Sequence, residues 1–330
     1  MKTIINNSND PHFNLALEEY VLKQLDSDED FILLWQNEPS IIIGRNQNTI
    51  EEINSEYVKE NSVNVVRRIS GGGAVYHDSG NLNFTFVTKN LKNNLNNFRK
   101  FTEPVINLLN ELGAKAEFSG RNDITVEGKK ISGNAQTYHK NKMFHHGTIL
   151  FNSELEEIVN VLDVKLDKIK SKGIKSIRSR VSNILPYLDE PITVKEFQDK
   201  LLKYILKTND VESHIYELSA EDIEAINQLM KEKYRTWEWN YGESPQFDIT
   251  KSGRFEGGKI DIRLDVDEGE IQDCKIFGDF FGKKDVSELE AALKGIRFEE
   301  ASIRKILEQE DFNDYFFKIS IDDFIQCLFY

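Results

Sequence analysis

Apolar residues at Phe13, Leu17, Tyr20, Val21 and Leu25 recur every three or four positions, the stripe of an amphipathic helix. Asp10 ahead of them is a capping residue. Pro11 at the first helical position lacks only a donor that would be unsatisfied there in any case. The period then shortens. Phe31-Ile32-Leu33-Leu34-Trp35, Ser40-Ile41-Ile42-Ile43 and Val63-Asn64-Val65-Val66 are brief runs rich in branched and aromatic residues, and they read as strands. Asn81 to Val87 alternates and predicts another. Thr102, with Pro104 in the first turn, opens a helix that stops at Gly113, and two or three strands follow between about Ala116 and Phe151. Thr193 and Glu196 form a capping box before Phe197, Leu201 and Ile205, and Ser219 opens a helix through Met230. After Trp237-Glu238-Trp239-Asn240-Tyr241-Gly242 the pattern becomes a hairpin, 259–266 and 271–281, followed by short helices.

This change divides the chain into residues 1–243, a catalytic domain, and 244–330, an accessory α+β domain. A length of 330 residues, 39% hydrophobic, supports two cores. No apolar run approaches the roughly 20 residues of a membrane span, and the N-terminus has no signal-peptide pattern, so a cytoplasmic protein is expected. Cys274 and Cys327 offer neither disulfide framework nor zinc spacing and read as buried thiols. A net charge of −14 opposes nonspecific nucleic-acid binding, which needs a basic face. Against that background, KIKSKGIKSIRSR at 168–180 carries six basic residues and no acid. Alone it suits a solvated face better than a site for a small anion.

Candidate chemistry centres on Arg67-Arg68-Ile69-Ser70-Gly71-Gly72-Gly73-Ala74-Val75-Tyr76-His77-Asp78. Glycines let backbone N–H groups converge on an anion, and arginine forks match carboxylate or phosphate. The loop lacks the Lys-Ser/Thr pair of a P-loop. It runs from strand to strand, whereas a dinucleotide fingerprint opens a helix. A plain glycine turn remains open for the loop taken by itself. The same holds for a second cluster, Asn122-Asp123, Lys129-Lys130 and His145-His146, whose members singly suit a turn, a hairpin tip and packing.

In combination these segments carry a resemblance. FNLALEE at 13–19, GRNQN at 44–48, RRxSGGGAVYHDxGN from Arg67, GRND at 120–123, KKISGNA at 129–135, HHGT at 145–148, KGIKSIRSRVSN at 172–183 and WEWN at 237–240 occur in one order. Nearly end to end, the chain resembles the lipoate–protein ligases of the bacterial type, with a large catalytic and a small C-terminal domain. The resemblance implies an α+β fold: a biotin-ligase/class II synthetase-like mixed sheet packed by helices, plus a small α+β C-terminal domain. It implies ATP, Mg2+ and the substrate lipoate, joined as lipoyl-AMP with release of pyrophosphate, then transfer to a carrier lysine. The implied carriers are lipoyl domains of 2-oxoacid dehydrogenase acyltransferase subunits, the glycine cleavage H protein or an H-like carrier. Neither nucleic acid nor membrane is implied, and a monomer is expected.

Matched residue by residue, the resemblance implies that Lys130 is the family's central catalytic lysine. Arg68, Gly73, Ala74, Val75, Tyr76, Lys130, Asp123, Lys172, Ser176 and Arg178 fall to ATP and lipoyl-AMP. Ser70, Gly71, Gly72, Gly73 and His146 fall to lipoate, and Asp123 to magnesium. By the same resemblance, segment 172–180 matches the loop that in the family closes over the adenylate, for which Gly173 could supply the hinge. His77 has no assigned role, and no residue identifies itself as base for the transfer step. The nearest rival, an octanoyl or lipoyl amidotransferase of the same superfamily, needs a cysteine nucleophile that positions 1–273 lack. A biotin ligase lacks support because its GRGRxGR-type loop is missing. The rival from another class, a noncatalytic lipoyl-domain-binding protein, is opposed by intact Lys130, Asp123 and Arg68.

Overall fold

Helix α1 (Pro11–Lys23) begins where the pattern placed it, with the Asp10 side chain accepting from the His12 N–H at 2.9 Å. All residues from Asn14 to Leu22 are buried, so α1 is enclosed on every side, Glu18 and Glu19 included. Glu19 is met by Lys23 at 2.9 Å, Lys233 at 2.7 Å and the Tyr234 hydroxyl at 2.5 Å. A buried carboxylate is tolerated only with such partners. The computed structural model describes all residues except 46, 48, 90–93, 95, 121, 163–179, 243–246, 279 and 281–283.

Two units make up the chain, residues 1–45 with 63–236 and residues 46–62 with 237–330. In the first unit the strands are β1 (Lys2–Thr3), β2 (Phe31–Trp35), β3 (Ser40–Ile43), β4 (Asn64–Arg67), β5 (Val75–His77), β6 (Asn81–Thr88), β7 (Ala116–Ser119), β8 (Asp123–Val126), β9 (Lys129–His139) and β10 (Lys142–Leu150). A seven-stranded mixed sheet runs β1-β2-β6-β10-β9-β8-β7, with β1 parallel to β2 and the other pairs antiparallel. A smaller sheet runs β4-β3-β5, parallel then antiparallel. This is the mixed-sheet α+β architecture expected. Its core joins Leu82, Phe84, Ile124 and Ile131 of the large sheet to Phe101, Val105 and Leu109 of α2 (Phe98–Glu111) and to Phe197 and Leu201 of α3 (Val194–Leu206). The Thr193–Glu196 capping box opens α3 and a Ser219–Asp222 box opens α4 (Ala220–Leu229).

Two sequence expectations need correction here. Helix α2 opens at Phe98, one turn before Thr102, because Asn97 is its cap, accepting from the Lys100 N–H at 3.3 Å. Thr102 is fully buried, with its hydroxyl donating to the carbonyls of Phe98 and Arg99, and Pro104 lies inside the helix. Four strands, not two or three, fill 116–150. Glu127 and Gly128 have φ of 50° and 74°, so this two-residue turn supplies the positive φ of a type I′ hairpin and splits the run.

In the second unit β11 (Phe247–Phe255), β12 (Gly258–Asp267) and β13 (Glu270–Gly278) form an antiparallel sheet. The expected hairpin is its last two strands. Strand β11 escaped the pattern because it carries few apolar residues; Ile249 joins the core. Ile262, Leu264 and Ile276 pack under Leu289 of α5 (Val286–Leu293), Ile303 of α6 (Glu300–Gln309) and Phe324 of α7 (Ile321–Phe329), with Cys274 and Cys327 buried among them as expected. Residues 46–62 belong to this unit: Ile50 packs on its core and the Thr49 hydroxyl donates to the Asn240 carbonyl at 2.6 Å.

Candidate active site

The glycine loop leaves β4 and re-enters the small sheet as β5, joining strand to strand. Arg68 organises it. Its buried guanidinium donates from Nε to Ser70 Oγ at 3.0 Å, from Nη1 to the Ile42 carbonyl at 2.9 Å, and from Nη2 to the carbonyls of Gly71 and Gly73, each at 2.8 Å. The planar fork thus pins two glycine carbonyls and leaves the loop wrapped around it. Gly72 has φ of +98°, and a Cβ there would stand 2.9 Å from Arg68 Nη2, so both backbone and space demand glycine. Burial pulls the Arg68 guanidinium down to about 10, opposed by the charge of Glu18, so it stays cationic at neutral pH.

Opposite the loop, β9 presents Lys130 and β8 presents Asp123, their Nζ and Oδ1 being 2.9 Å apart. With side chains 41% and 33% exposed, this pair can be exchanged for contacts to a ligand. Asn122 and Asn134 lock the two strands, with Asn122 Nδ2 donating to the Asn134 carbonyl at 2.6 Å and Asn134 Nδ2 to the Asn122 carbonyl at 3.0 Å. On β10, adjacent histidines face opposite ways, as strand geometry requires. His145 stacks on Phe101, ring centroids 5.1 Å apart, whereas His146 lines a cavity.

That cavity holds about 550 Å3 of open space. Leu15, Trp35, Ile42 and Val75 give it apolar walls, Gly72 and Gly73 bring loop backbone to it, and Lys130 adds a partly exposed cation to the buried one of Arg68. Of the residues singled out in the sequence, Arg68, Gly72, Gly73, Val75, Lys130 and His146 meet there. Ser70 is buried behind the wall, against His146 and Arg68, and Asp123 reaches the site through Lys130. Gly71, Ala74 and Tyr76 do not line the cavity; Tyr76 alternates with Val75 and His77 along β5 and faces away. Lys172, Gly173, Ser176 and Arg178 lie outside the described residues.

Sequence reading missed Glu18, Trp35, Asn83 and Thr85. Glu18 is 1% exposed, accepts from the Thr85 hydroxyl, and has His146 Nδ1 3.2 Å from its Oε1. The signal lay in FNLALEE, where two acids follow an apolar run with no basic residue until Lys23. His77, left without a role, lines the cavity with Nδ1 3.0 Å from Asn37 Nδ2. Its Nε2 and the Nδ2 of Asn83 are buried with no hydrogen-bond partner among the described residues.

Burial presses His77 and His145 down to about 3, with the positive charge of Arg68 adding to the effect on His77. The unfolded chain binds these protons near pH 6.5 and the folded chain near 3, so acid favours unfolding in between. Melting temperature should fall as pH drops from about 6.5 toward 3, each histidine adding a slope of up to about 1.4 kcal/mol per pH unit. His145→Gln should flatten that decline in a thermal series; an unchanged slope would contradict the assignment.

Comparison with known proteins places the chain in a family. Residues 10–206 match the lipoyl protein ligase A/B catalytic domain and residues 244–328 the bacterial lipoate protein ligase C-terminus. The lipoate-protein ligase LplJ of Bacillus subtilis is 54% identical over 98% of both chains. A solved Thermoplasma acidophilum bipartite lipoate protein ligase, described with its E2 lipoyl domain, matches at 29% identity and TM-score 0.66, over 73% of this chain and 95% of that one. A lipoate-protein ligase A bound with ATP matches at 26% identity and TM-score 0.63, over 73% and 98%. The chain therefore belongs to the lipoyl protein ligase A/B family, in its form with a bacterial C-terminal domain.

Proposed function

We propose that this protein is an ATP-dependent lipoate–protein ligase, which activates lipoate as lipoyl-AMP and passes the lipoyl group to a lysine of a carrier domain. The observation that carries the reading is a half-open cavity with apolar walls, lined also by Lys130 of the partly exposed Lys130–Asp123 pair, beside a glycine loop. Such a cavity suits an aliphatic chain with a carboxylate at its mouth. In activation the carboxylate oxygen bonds the α-phosphorus and the bond to pyrophosphate breaks. Lys130 offsets the repulsion of the two anions as they meet. Gly72, Gly73 and Val75, the part of the loop that lines the cavity, would face the bound substrate. Arg68 acts chiefly by shaping this loop, since four of its five N–H donors are engaged by Ser70, Ile42, Gly71 and Gly73.

Asp123, a carboxylate one-third exposed, fits magnesium, an ion that accepts one carboxylate together with the phosphates of a bound nucleotide. No group of three or more metal-ligating side chains occurs among the described residues. When bound, the ion would neutralise phosphate charge. In transfer the carrier amine attacks the acyl carbon, AMP leaves with the bonding pair, and the amine loses a proton. Lipoyl domains of 2-oxoacid dehydrogenase acyltransferase subunits and H or H-like proteins present such lysines. The thioester route of an amidotransferase is disfavoured because Cys274 and Cys327 are buried in the second unit.

The test omits the carrier. Protein, ATP, magnesium and lipoate alone should release pyrophosphate and yield lipoyl-AMP detectable by mass. A carrier modified only from an acylated donor, with no adenylate, would reverse the reading.

A further inference from the structure

Behind the cavity wall runs a chain of hydrogen bonds whose direction can be read atom by atom. At one end the Trp35 indole, a donor only, gives its Nε1–H to Thr85 Oγ1 at 2.9 Å, and that hydroxyl donates to Glu18 Oε1. At the other end Arg68, also a donor only, gives Nε–H to Ser70 Oγ at 3.0 Å. Ser70 Oγ lies 2.7 Å from His146 Nε2, and His146 Nδ1 lies 3.2 Å and 3.3 Å from the two oxygens of Glu18. Two obligate donors therefore converge on one acceptor-only group. For a neutral imidazole beside an ionised Glu18, each hydrogen between them then has a single consistent place: Ser70 donates to His146 Nε2, and His146 donates from Nδ1 to Glu18.

We propose that Glu18 is a positioning residue of this site, holding His146 with its proton on Nδ1 and its Nε2 lone pair toward Ser70. The carboxylate thereby sets two walls at once. Through Thr85 it orients Trp35, and through His146, Ser70 and Arg68 it reaches the carbonyls of Gly71 and Gly73. Glu18, Thr85 and Ser70 are each at most 1% exposed, so water cannot substitute for a lost member. The arrangement also removes His146 as proton acceptor for the incoming amine, because its lone pair is committed to Ser70. The inference rests on the ligase reading only where activity is the readout.

The test has two arms on the full chain. In protein labelled with 15N-histidine, without substrates, the His146 resonances, identified by their loss in His146→Gln, should show a protonated Nδ1 and a bare Nε2. In Glu18→Gln an amide replaces the acceptor-only sink, so the ring should lose that single tautomer. The KM for lipoate should rise about tenfold, the cost of one buried polar mismatch, with the KM for ATP near its native value. Thr85→Val, which detaches Trp35 and removes one donor from Glu18 but leaves both Glu18 oxygens within reach of His146, should leave the His146 tautomer in place. A native ring protonated on Nε2, or a Glu18→Gln protein with unchanged tautomer and lipoate KM, would overturn the proposal. Absence of ligation by the native protein would sink the functional reading while the spectrum still decides the geometry.

Discussion

Lys130→Ala should slow lipoyl-AMP formation about a thousandfold, roughly 4 kcal/mol, the upper end of what one lost electrostatic contact costs in a shielded site. The size follows from position. Lys130 is the cation that β9 brings to the cavity mouth, and Arg68, the nearest alternative charge in the lining, is spent on loop carbonyls. The side chain is 41% exposed and paired with one carboxylate, so its loss should barely change thermal stability. Pyrophosphate release and a melting curve, measured side by side, separate the two. A variant that adenylates lipoate at the native rate would remove Lys130 from the chemistry.

Arg68→Lys should be the second large effect, and of a different kind. One ammonium cannot reach Ser70 Oγ and the carbonyls of Ile42, Gly71 and Gly73 in the geometry of a planar fork. At least one buried acceptor then goes unpaired, at about 1–3 kcal/mol each, before any ligand binds. The melting temperature of the substrate-free protein should drop by several degrees. Use of both lipoate and ATP should fall about a hundredfold, since a drop of roughly 3 kcal/mol in loop order is felt by both. Lost activity with unchanged substrate-free stability would instead mark Arg68 as a direct ligand contact.

Local signals were readable where one residue type had one job. Asp10 with Pro11, and Thr193 with Glu196, announced helix starts that the structure keeps. The glycine run between two apolar segments announced a strand-to-strand loop, because three glycines in succession suit neither helix nor strand. Pro104 misled, since proline favours first turns and here sits a turn and a half inside α2. Strand order was invisible. That β6 lies between β2 and β10 depends on side chains meeting across the sheet, and no local window contains both partners. The joining of residues 46–62 to the second unit is hidden for the same reason.

The candidate site divides along the same line. Residues whose chemistry is unusual in context, Arg68, Lys130, Asp123 and His146, could be nominated from motifs, and the fold places them at or beside one cavity. Glu18 and Thr85 could not, because an acid on a helix and a threonine on a strand are ordinary until burial and direction are known. Ser70 was nominated as a lipoate contact, yet it stands behind the wall as the link between Arg68 and His146.

The most direct measurement is the intact mass of a purified lipoyl domain after incubation with this protein, ATP, magnesium and lipoate, each omitted in turn. The account predicts one added lipoyl group that requires every component and disappears in Lys130→Ala. An adduct that forms without ATP, or persists undiminished in Lys130→Ala, would contradict it.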